Sequence, residues 1–174
     1  RYGDEQGLGL TLDYLGEAYV AMNDLRSAEA AFRRRLAVAR DRQDLQAQIF
    51  TLNNLGTIFL KQNNLNIAEE VFTDALVIAR SVENALGAGI SLNNLGLAAS
   101  VRGDFDEAIK RYSTALLFRR EAQDPAGATL TITNLADAQL YNGNPAEALI
   151  AYTDALLSAQ DIRDFDNQFR ALEG

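Results

Sequence analysis

A period of forty residues is the feature that most constrains the fold of this chain. Five classes of residue recur with it: a leucine, the small residue after it, a later alanine, an aromatic, and a polar residue that closes each period. The leucine and small residue are Leu15-Gly16, Leu55-Gly56, Leu95-Gly96 and Leu135-Ala136. The others are Ala28, Ala68, Ala108 and Ala148, then Phe32, Phe72, Tyr112 and Tyr152, then Asp4, Asp44, Asn84, Asp124 and Asp164. Such regularity predicts stacked copies of one small unit.

The apolar residues within each period have helical spacing. One stripe in the third unit falls at i, i+3, i+4, i+7, i+10 and i+11: Phe105, Ala108, Ile109, Tyr112, Ala115 and Leu116. The first half of each unit supplies a second helix, and no alternation typical of strands is seen. We predict helices at about 5–22, 25–41, 45–62, 65–81, 85–102, 105–121, 125–142 and 145–161.

Turn and cap residues separate the paired helices at the expected places. Gly103 and Gly143 suit the left-handed residue that ends a helix. The residues that follow the turns have side-chain oxygens able to cap the next helix: Asp24, Asn64, Asp104 and Asn144. Glycine inside a helix costs about 1 kcal/mol relative to alanine, so we expect Gly16, Gly56 and Gly96 to make room for a closely packed partner helix.

The period divides the chain into units. We assign 5–44, 45–84, 85–124 and 125–164 to four repeats, 1–4 to the end of a preceding repeat, and 165–174 to the start of a further helix. Because Arg1-Tyr2-Gly3-Asp4 is in phase with the closing turns of later units, we expect the chain to be a fragment of a longer array.

A known repeat family has this pattern. Leucine, glycine, a bulky residue, alanine, an aromatic and alanine at offsets 0, 1, 4, 13, 17 and 20 resemble the tetratricopeptide repeat. The second unit fits fully, with Leu55, Gly56, Phe59, Ala68, Phe72 and Ala75. Departures are Arg35 for the last alanine of the first unit, and Ala99 and Gln139 for the bulky residue. The resemblance implies an all-α fold, an α-solenoid of four helix-turn-helix repeats wound as a right-handed superhelix, plus a partial terminal helix.

The length of the period refines the resemblance. Forty residues exceed the family's usual 34, so the chain is similar to the long-helix variant of kinesin light chains, spindle-orientation adaptors and bacterial signalling proteins. HEAT and armadillo arrays have periods near forty as well. They lack the Leu-Gly and Ala–aromatic–Ala pattern, and they remain the minor alternative.

Composition bounds the chemistry. The chain contains neither cysteine nor histidine, which removes thiolates, disulfides, the commonest general base and the commonest metal ligand. We therefore expect no enzyme, no metal and no cofactor. The net charge of −8 disfavours nucleic acid as a partner. No apolar run is long enough to span a bilayer, and nothing at the start resembles a signal peptide, so we expect a cytoplasmic protein that does not engage membranes.

Asparagines before the Leu-Gly or Leu-Ala step are the sharpest candidates for partner binding: Asn54, Asn94 and Asn134. Their amides both donate and accept hydrogen bonds, and they resemble the asparagine ladder of the O-linked N-acetylglucosamine transferase repeats. Tyr14 takes this position in the first unit. Alternatively, the amides bridge adjacent helices or contact water.

Further groove positions follow from the same analogy. They are Asp13, Asn53, Asn93 and Thr133, then Glu17, Thr57, Leu97 and Asp137, and farther along Leu60, Lys61, Ser100 and Tyr141. We expect the basic run Arg33, Arg34, Arg35, Arg40 and Arg42 to be a solvated helix face.

Two functions from different classes remain open. The first is a scaffold that binds a protein or extended peptide in the concave groove formed by the first helices of the repeats. The second is a self-assembly or spacer module that stacks through its terminal helices.

Overall fold

The computed structural model describes the backbone of residues 2–162 and the side chains of residues 7–160. This part of the chain forms eight helices and no strand. They are α1 (Tyr2–Ala21), α2 (Leu25–Asp41), α3 (Leu45–Lys61), α4 (Leu65–Ser81), α5 (Ala85–Arg102), α6 (Phe105–Glu121), α7 (Pro125–Tyr141) and α8 (Pro145–Ile162). The predicted fold class, an all-α solenoid of helix-turn-helix repeats, is confirmed.

The predicted helix bounds differ from the observed ones mainly at the start. α1 begins at Tyr2, three residues before the predicted position, because the backbone of Gly3 and Asp4 is already helical. The helix expected from residue 165 onwards lies outside the described residues. The division into repeats therefore stays a prediction.

The chain forms two compact units, Arg1–Gly87 and Ala88–Gly174. In the first unit, α1 packs on α2, α2 on α3, and α3 on α4. In the second unit, α6 packs on α7, and α7 on α8. The division between the units falls within α5, which begins at Ala85 and belongs to the second unit from Ala88 onwards. The core of each unit is made from alanines with no exposed surface, large aromatics, and buried leucines and isoleucines.

Left-handed residues end the helices at all seven turns between α1 and α8. Gly103 and Gly143 have φ values of 86° and 81°, which confirms their predicted role. The other five turns use residues with side chains: Asn23, Gln43, Asn63, Glu83 and Gln123. Asparagine tolerates this conformation, whereas glutamine and glutamate are strained in it. The turns that lack glycine or asparagine join one predicted repeat to the next, and there the packing of the flanking helices imposes the left-handed geometry.

Side-chain caps begin α2, α3, α5, α6 and α7, whereas α4 lacks one. Asp24 accepts a hydrogen bond from the backbone N–H of Ser27 at 3.1 Å, and Asp104 accepts one from Glu107 N at 3.2 Å. Asn64 was predicted to cap α4, and this is wrong, because its side chain makes no cap hydrogen bond. Its amide instead donates to Gln62 Oε1 at 3.3 Å.

Candidate functional site

In the first unit, α1 has three of the predicted groove residues. One forms an ion pair, and the other two have exposed side chains. Arg35 Nε of α2 donates to Asp13 Oδ2 at 2.8 Å. Tyr14 is 70% exposed, and Glu17 is exposed as well. Of the predicted residues on α1, Tyr14 and Glu17 are therefore the ones whose side chains are exposed to a partner.

The ion pair of Arg35 corrects the expectation of a solvated basic face. The Arg35 side chain is only 12% exposed and lies against α1, where a Cβ on Gly9 would stand 3.3 Å from its Cζ. Position 35 is an alanine in the family pattern. Here Gly9, which has no side chain, leaves space for the larger guanidinium of Arg35. Arg33 is more exposed, but it too has partners, pairing with Glu29 at 2.8 Å and lying over the Phe59 ring at 5.7 Å.

On α3, the predicted residues are less exposed than those on α1. Asn53 is 4% exposed, and its amide donates to the carbonyl of Ile49 at 2.9 Å. Asn54 and Thr57 are half-buried, and Thr57 Oγ1 donates to the carbonyl of Asn53 at 3.0 Å. Asn54 and Thr57 therefore keep part of their surface available.

In the second unit, two predicted asparagines contact each other. Asn134 Nδ2 of α7 donates to Asn93 Oδ1 of α5 at 3.0 Å, and the two residues are 7% and 5% exposed. This contact is the alternative role for such an amide, a bridge between adjacent helices. Thr133 is fully buried and donates to the carbonyl of Thr129, whereas Asn94 is half-buried. The role of these residues in binding a partner stays a prediction.

A pocket lies beside this bridge, where the ends of α5 and α7 meet the start of α6. Its volume is about 300 Å³. Its lining is Leu97, Ser100, Val101, Phe105, Tyr112, Asn134, Asp137, Ala138 and Tyr141. We call it the α5–α7 pocket. It brings together three predicted positions of one groove, Leu97, Asn134 and Asp137, together with the more distant Ser100 and Tyr141.

Hydrogen bonds hold the polar side of the α5–α7 pocket in place. Tyr152 of α8 donates its hydroxyl to Asp137 Oδ1 at 2.6 Å. The hydroxyl of Tyr112 lies 3.3 Å from Ser100 Oγ. In the first unit these aromatic positions are Phe32 and Phe72, which have no hydroxyl. In the second unit, tyrosine hydroxyls therefore contact Ser100 and Asp137, a contact that the phenylalanines of the first unit cannot make.

Two side chains at these sites were not predicted. Phe105 packs on the core as part of the predicted apolar stripe of α6, and its ring also stacks on Tyr141, with centroids 5.6 Å apart and planes at 20°. Arg119 stands where the other repeats have Ala39, Ala79 and Ala159. It is buried against Gly89, pairs with Asp124, and its Nε has no partner among the described residues. The sequence signal for Arg119 was an arginine at a position where the other three repeats have alanine.

In the described part of the chain, acidic side chains nowhere gather in threes around a point that could hold a metal ion. No helix within residues 2–162 combines the length and hydropathy that a bilayer crossing requires.

Comparison with known families identifies the repeat. A family model described as tetratricopeptide repeat matches residues 45–121 and, overlapping them, 87–161. A second model of the same description matches residues 11–46. The chain belongs to the tetratricopeptide repeat family. A comparison of this tetratricopeptide repeat chain with curated proteins by sequence gives no match.

Solved structures share the fold of this tetratricopeptide repeat chain. A Rap protein complexed with Competence and Sporulation Factor superposes with a TM-score of 0.89 at 17% identity, over 97% of this chain and 46% of that one. Aspartyl phosphate phosphatase F from Bacillus subtilis gives 0.84 at 15% identity, over 91% and 42%. BtubC from P. vanneervenii gives 0.77 at 20% identity, over 92% and 66%. The chain thus spans less than two thirds of each of these proteins, and the likeness is one of fold.

Proposed function

We propose that this chain is a protein-interaction scaffold, not an enzyme, and that it binds an extended segment of a partner polypeptide along the first helices of its repeats. The observation that carries the proposal is the α5–α7 pocket, in which Leu97, Asn134 and Asp137 converge from two first helices. In the first unit, Tyr14 and Glu17 offer exposed polar surface on the equivalent helix. Apolar hollows with a few fixed polar groups are typical of binding sites.

Membership of the family and one structural neighbour support this proposal. Repeat arrays of this kind present extended surfaces to partners. The Rap protein, which superposes over nearly the whole chain, is in complex with Competence and Sporulation Factor. A protein with this fold therefore binds a separate factor. Fold likeness at this identity does not transfer the factor itself to the present chain.

The test is selection of random 12-residue peptides on the immobilised chain, followed by fluorescence anisotropy. We expect dissociation constants of about 1–100 μM, because ordering an extended peptide offsets much of the contact energy. Changing Asn54→Ala and Asn94→Ala together should weaken the selected peptides by about tenfold, the loss of one or two hydrogen bonds. Asn134 is kept, because its removal would leave the buried Asn93 oxygen without its donor.

The matched control changes one exposed polar residue per unit on the second helices, Thr73→Ala with Ser113→Ala. This pair should leave every affinity unchanged. Failure to select any peptide, or equal loss in both double variants, would show that the first helices do not bind peptides as proposed.

Self-association is the second candidate, and one feature of α8 favours it. Leu149 and Ile150 are adjacent and both largely exposed on this helix. Light scattering over a range of concentrations should then detect a dimer that Leu149→Glu with Ile150→Lys abolishes. A monomer at all concentrations would rule this candidate out.

A further inference from the structure

The α5–α7 pocket has an aromatic wall that the first unit does not reproduce. Phe105 and Tyr141 stack at its edge, and Tyr141 is 71% exposed although it is held by this ring contact. Eighty residues earlier, the corresponding positions are Leu25 and Lys61. The aromatic pair is therefore a local property of the second unit, separate from the repeat pattern that builds the fold.

The size and apolar character of the pocket fit a single large side chain. Leu97, Val101 and Ala138 line it together with the aromatic pair. A volume of about 300 Å³ is ample for one aromatic ring and too small for a folded segment. Aromatic rings favour offset or edge contacts with other rings, which Phe105 and Tyr141 offer to an incoming ring.

The charge that lines the pocket has one sign. Asp137 is the one Asp, Glu, Arg or Lys residue among those that line the pocket. The hydrogen bond from Tyr152 fixes the orientation of its carboxylate. A cationic group on the ligand would be attracted to this edge, and the net charge of −8 acts in the same direction at longer range.

We propose that the α5–α7 pocket is a subsite for an aromatic side chain of a bound peptide whose next residue is arginine or lysine. The ring enters between Leu97 and the Phe105–Tyr141 pair, and the cation of the next residue pairs with Asp137. This inference rests on the proposed function, because it assumes that the face formed by α5 and α7 binds peptides. It adds the chemistry of the peptide that this surface selects.

The test uses three capped dipeptides as probes: N-acetyl-Phe-Arg-amide, N-acetyl-Phe-Glu-amide and N-acetyl-Gly-Arg-amide. Each is titrated into the ¹⁵N-labelled chain while backbone amide shifts are followed by NMR. We expect saturable shifts at the ends of α5 and α7 with the Phe-Arg probe, at a dissociation constant of about 1 mM. The Phe-Glu probe should bind about twofold to fivefold more weakly, the range of a solvent-exposed ion pair, and the Gly-Arg probe should not saturate.

Variants assign the effect to named side chains. Tyr141→Ala should abolish saturation by the Phe-Arg probe, and Tyr141 is exposed enough that the chain should still fold, as circular dichroism will report. The matched control is Lys61→Ala, the same position on α3, which should leave binding unchanged. Asp137→Asn keeps an oxygen that can accept from Tyr152 and should remove the preference for Phe-Arg over Phe-Glu.

Failure of this subsite can be separated from failure of the scaffold. If the Phe-Arg probe shifts no amides of α5 or α7, or binds no better than the Phe-Glu probe, the subsite is overturned. If peptides from the selection lose affinity for the Asn54/Asn94 variant but bind the Tyr141→Ala variant unchanged, the subsite is overturned and the scaffold stands. If no peptide is selected and no probe binds, both fail.

Discussion

The ring of Tyr112 lies on the backbone of Gly96, and a Cβ added to that glycine would stand 2.6 Å from Cε1 of the ring. The same relationship joins Gly16 to Phe32 and Gly56 to Phe72. In the fourth repeat, Ala136 takes the glycine position and packs in one cluster with Tyr152, which is slightly more exposed than the other three aromatics. The contact between the paired helices therefore depends on a missing side chain in the first three repeats.

Gly96→Ala should destabilise the second unit. The added methyl group would force the buried Tyr112 ring to move, and overpacking of this kind costs about 1–3 kcal/mol. The better helix propensity of alanine offsets part of this cost. Gly7→Ala is the control, because a Cβ there meets nothing within 4 Å and should be neutral or slightly stabilising. Urea unfolding followed by circular dichroism measures both, and a Gly96→Ala chain as stable as the wild type would refute the close contact.

The helices and their registers were predictable because the period is carried by buried residues. Ala68 and Phe72 are buried, as are the alanine and the aromatic at the same steps of every other repeat, so core packing holds these residue types in place. The contacts of the candidate site do not follow this rule. Asn93 bonds Asn134, 41 residues away, and Phe105 stacks on Tyr141, 36 residues away. These pairs join different positions of neighbouring repeats, so a comparison of equivalent positions does not reveal them.

Arg35 illustrates a second limit of sequence patterns. The arginine was visible as a departure from the alanine column, but its compensation is on another helix, where Gly9 provides space and Asp13 provides charge. The left-handed turn at Gln43 is similar. Nothing in a glutamine requires a positive φ, and the conformation follows from how the two helices meet.

A double-mutant cycle at Gly9 and Arg35 should be non-additive. Arg35→Ala alone should cost about 1–3 kcal/mol, because it removes buried packing and leaves Asp13 without its partner. Gly9→Ala alone should be nearly neutral. The gain in helix propensity from alanine is offset by the crowding of a methyl group that would stand 3.3 Å from Arg35 Cζ. In the Arg35→Ala background, the same change should stabilise by about 1 kcal/mol. Additive free energies of unfolding would contradict the contact.

Gln43→Gly should stabilise the chain. Gln43 has a φ of 54° at the turn between α2 and α3, and glycine adopts this conformation without the steric cost of a Cβ. We expect a gain of about 0.5–1 kcal/mol, seen as a higher midpoint in urea. Asn23→Gly, at the equivalent geometry with φ of 58°, is the control and should gain less, because asparagine tolerates the left-handed region. Equal gains at both turns would show that the strain is not specific to glutamine.

The cap at Asp24 should make stability depend on pH in the acid range. Hydrogen bonds from the Ser27 side chain and backbone N–H hold the pKa of Asp24 below its ordinary value of 3.8. Because the pKa is lower in the folded state, the ionised carboxylate stabilises the fold. Its contribution is complete above the pKa of the unfolded chain and disappears as the pH falls through the folded pKa.

Asp24→Asn separates this charge from the hydrogen bond. Asparagine is an equally good N-cap in the neutral state, and it does not titrate. We therefore expect the wild type to exceed the variant in urea midpoint at pH 7, with the difference shrinking as the pH falls below 4. NMR titration of the Asp24 carboxyl carbon in the folded chain should give a pKa below 3.8. A difference in midpoint that stays constant from pH 7 to about pH 2.5 would show that ionisation of Asp24 contributes nothing to the fold.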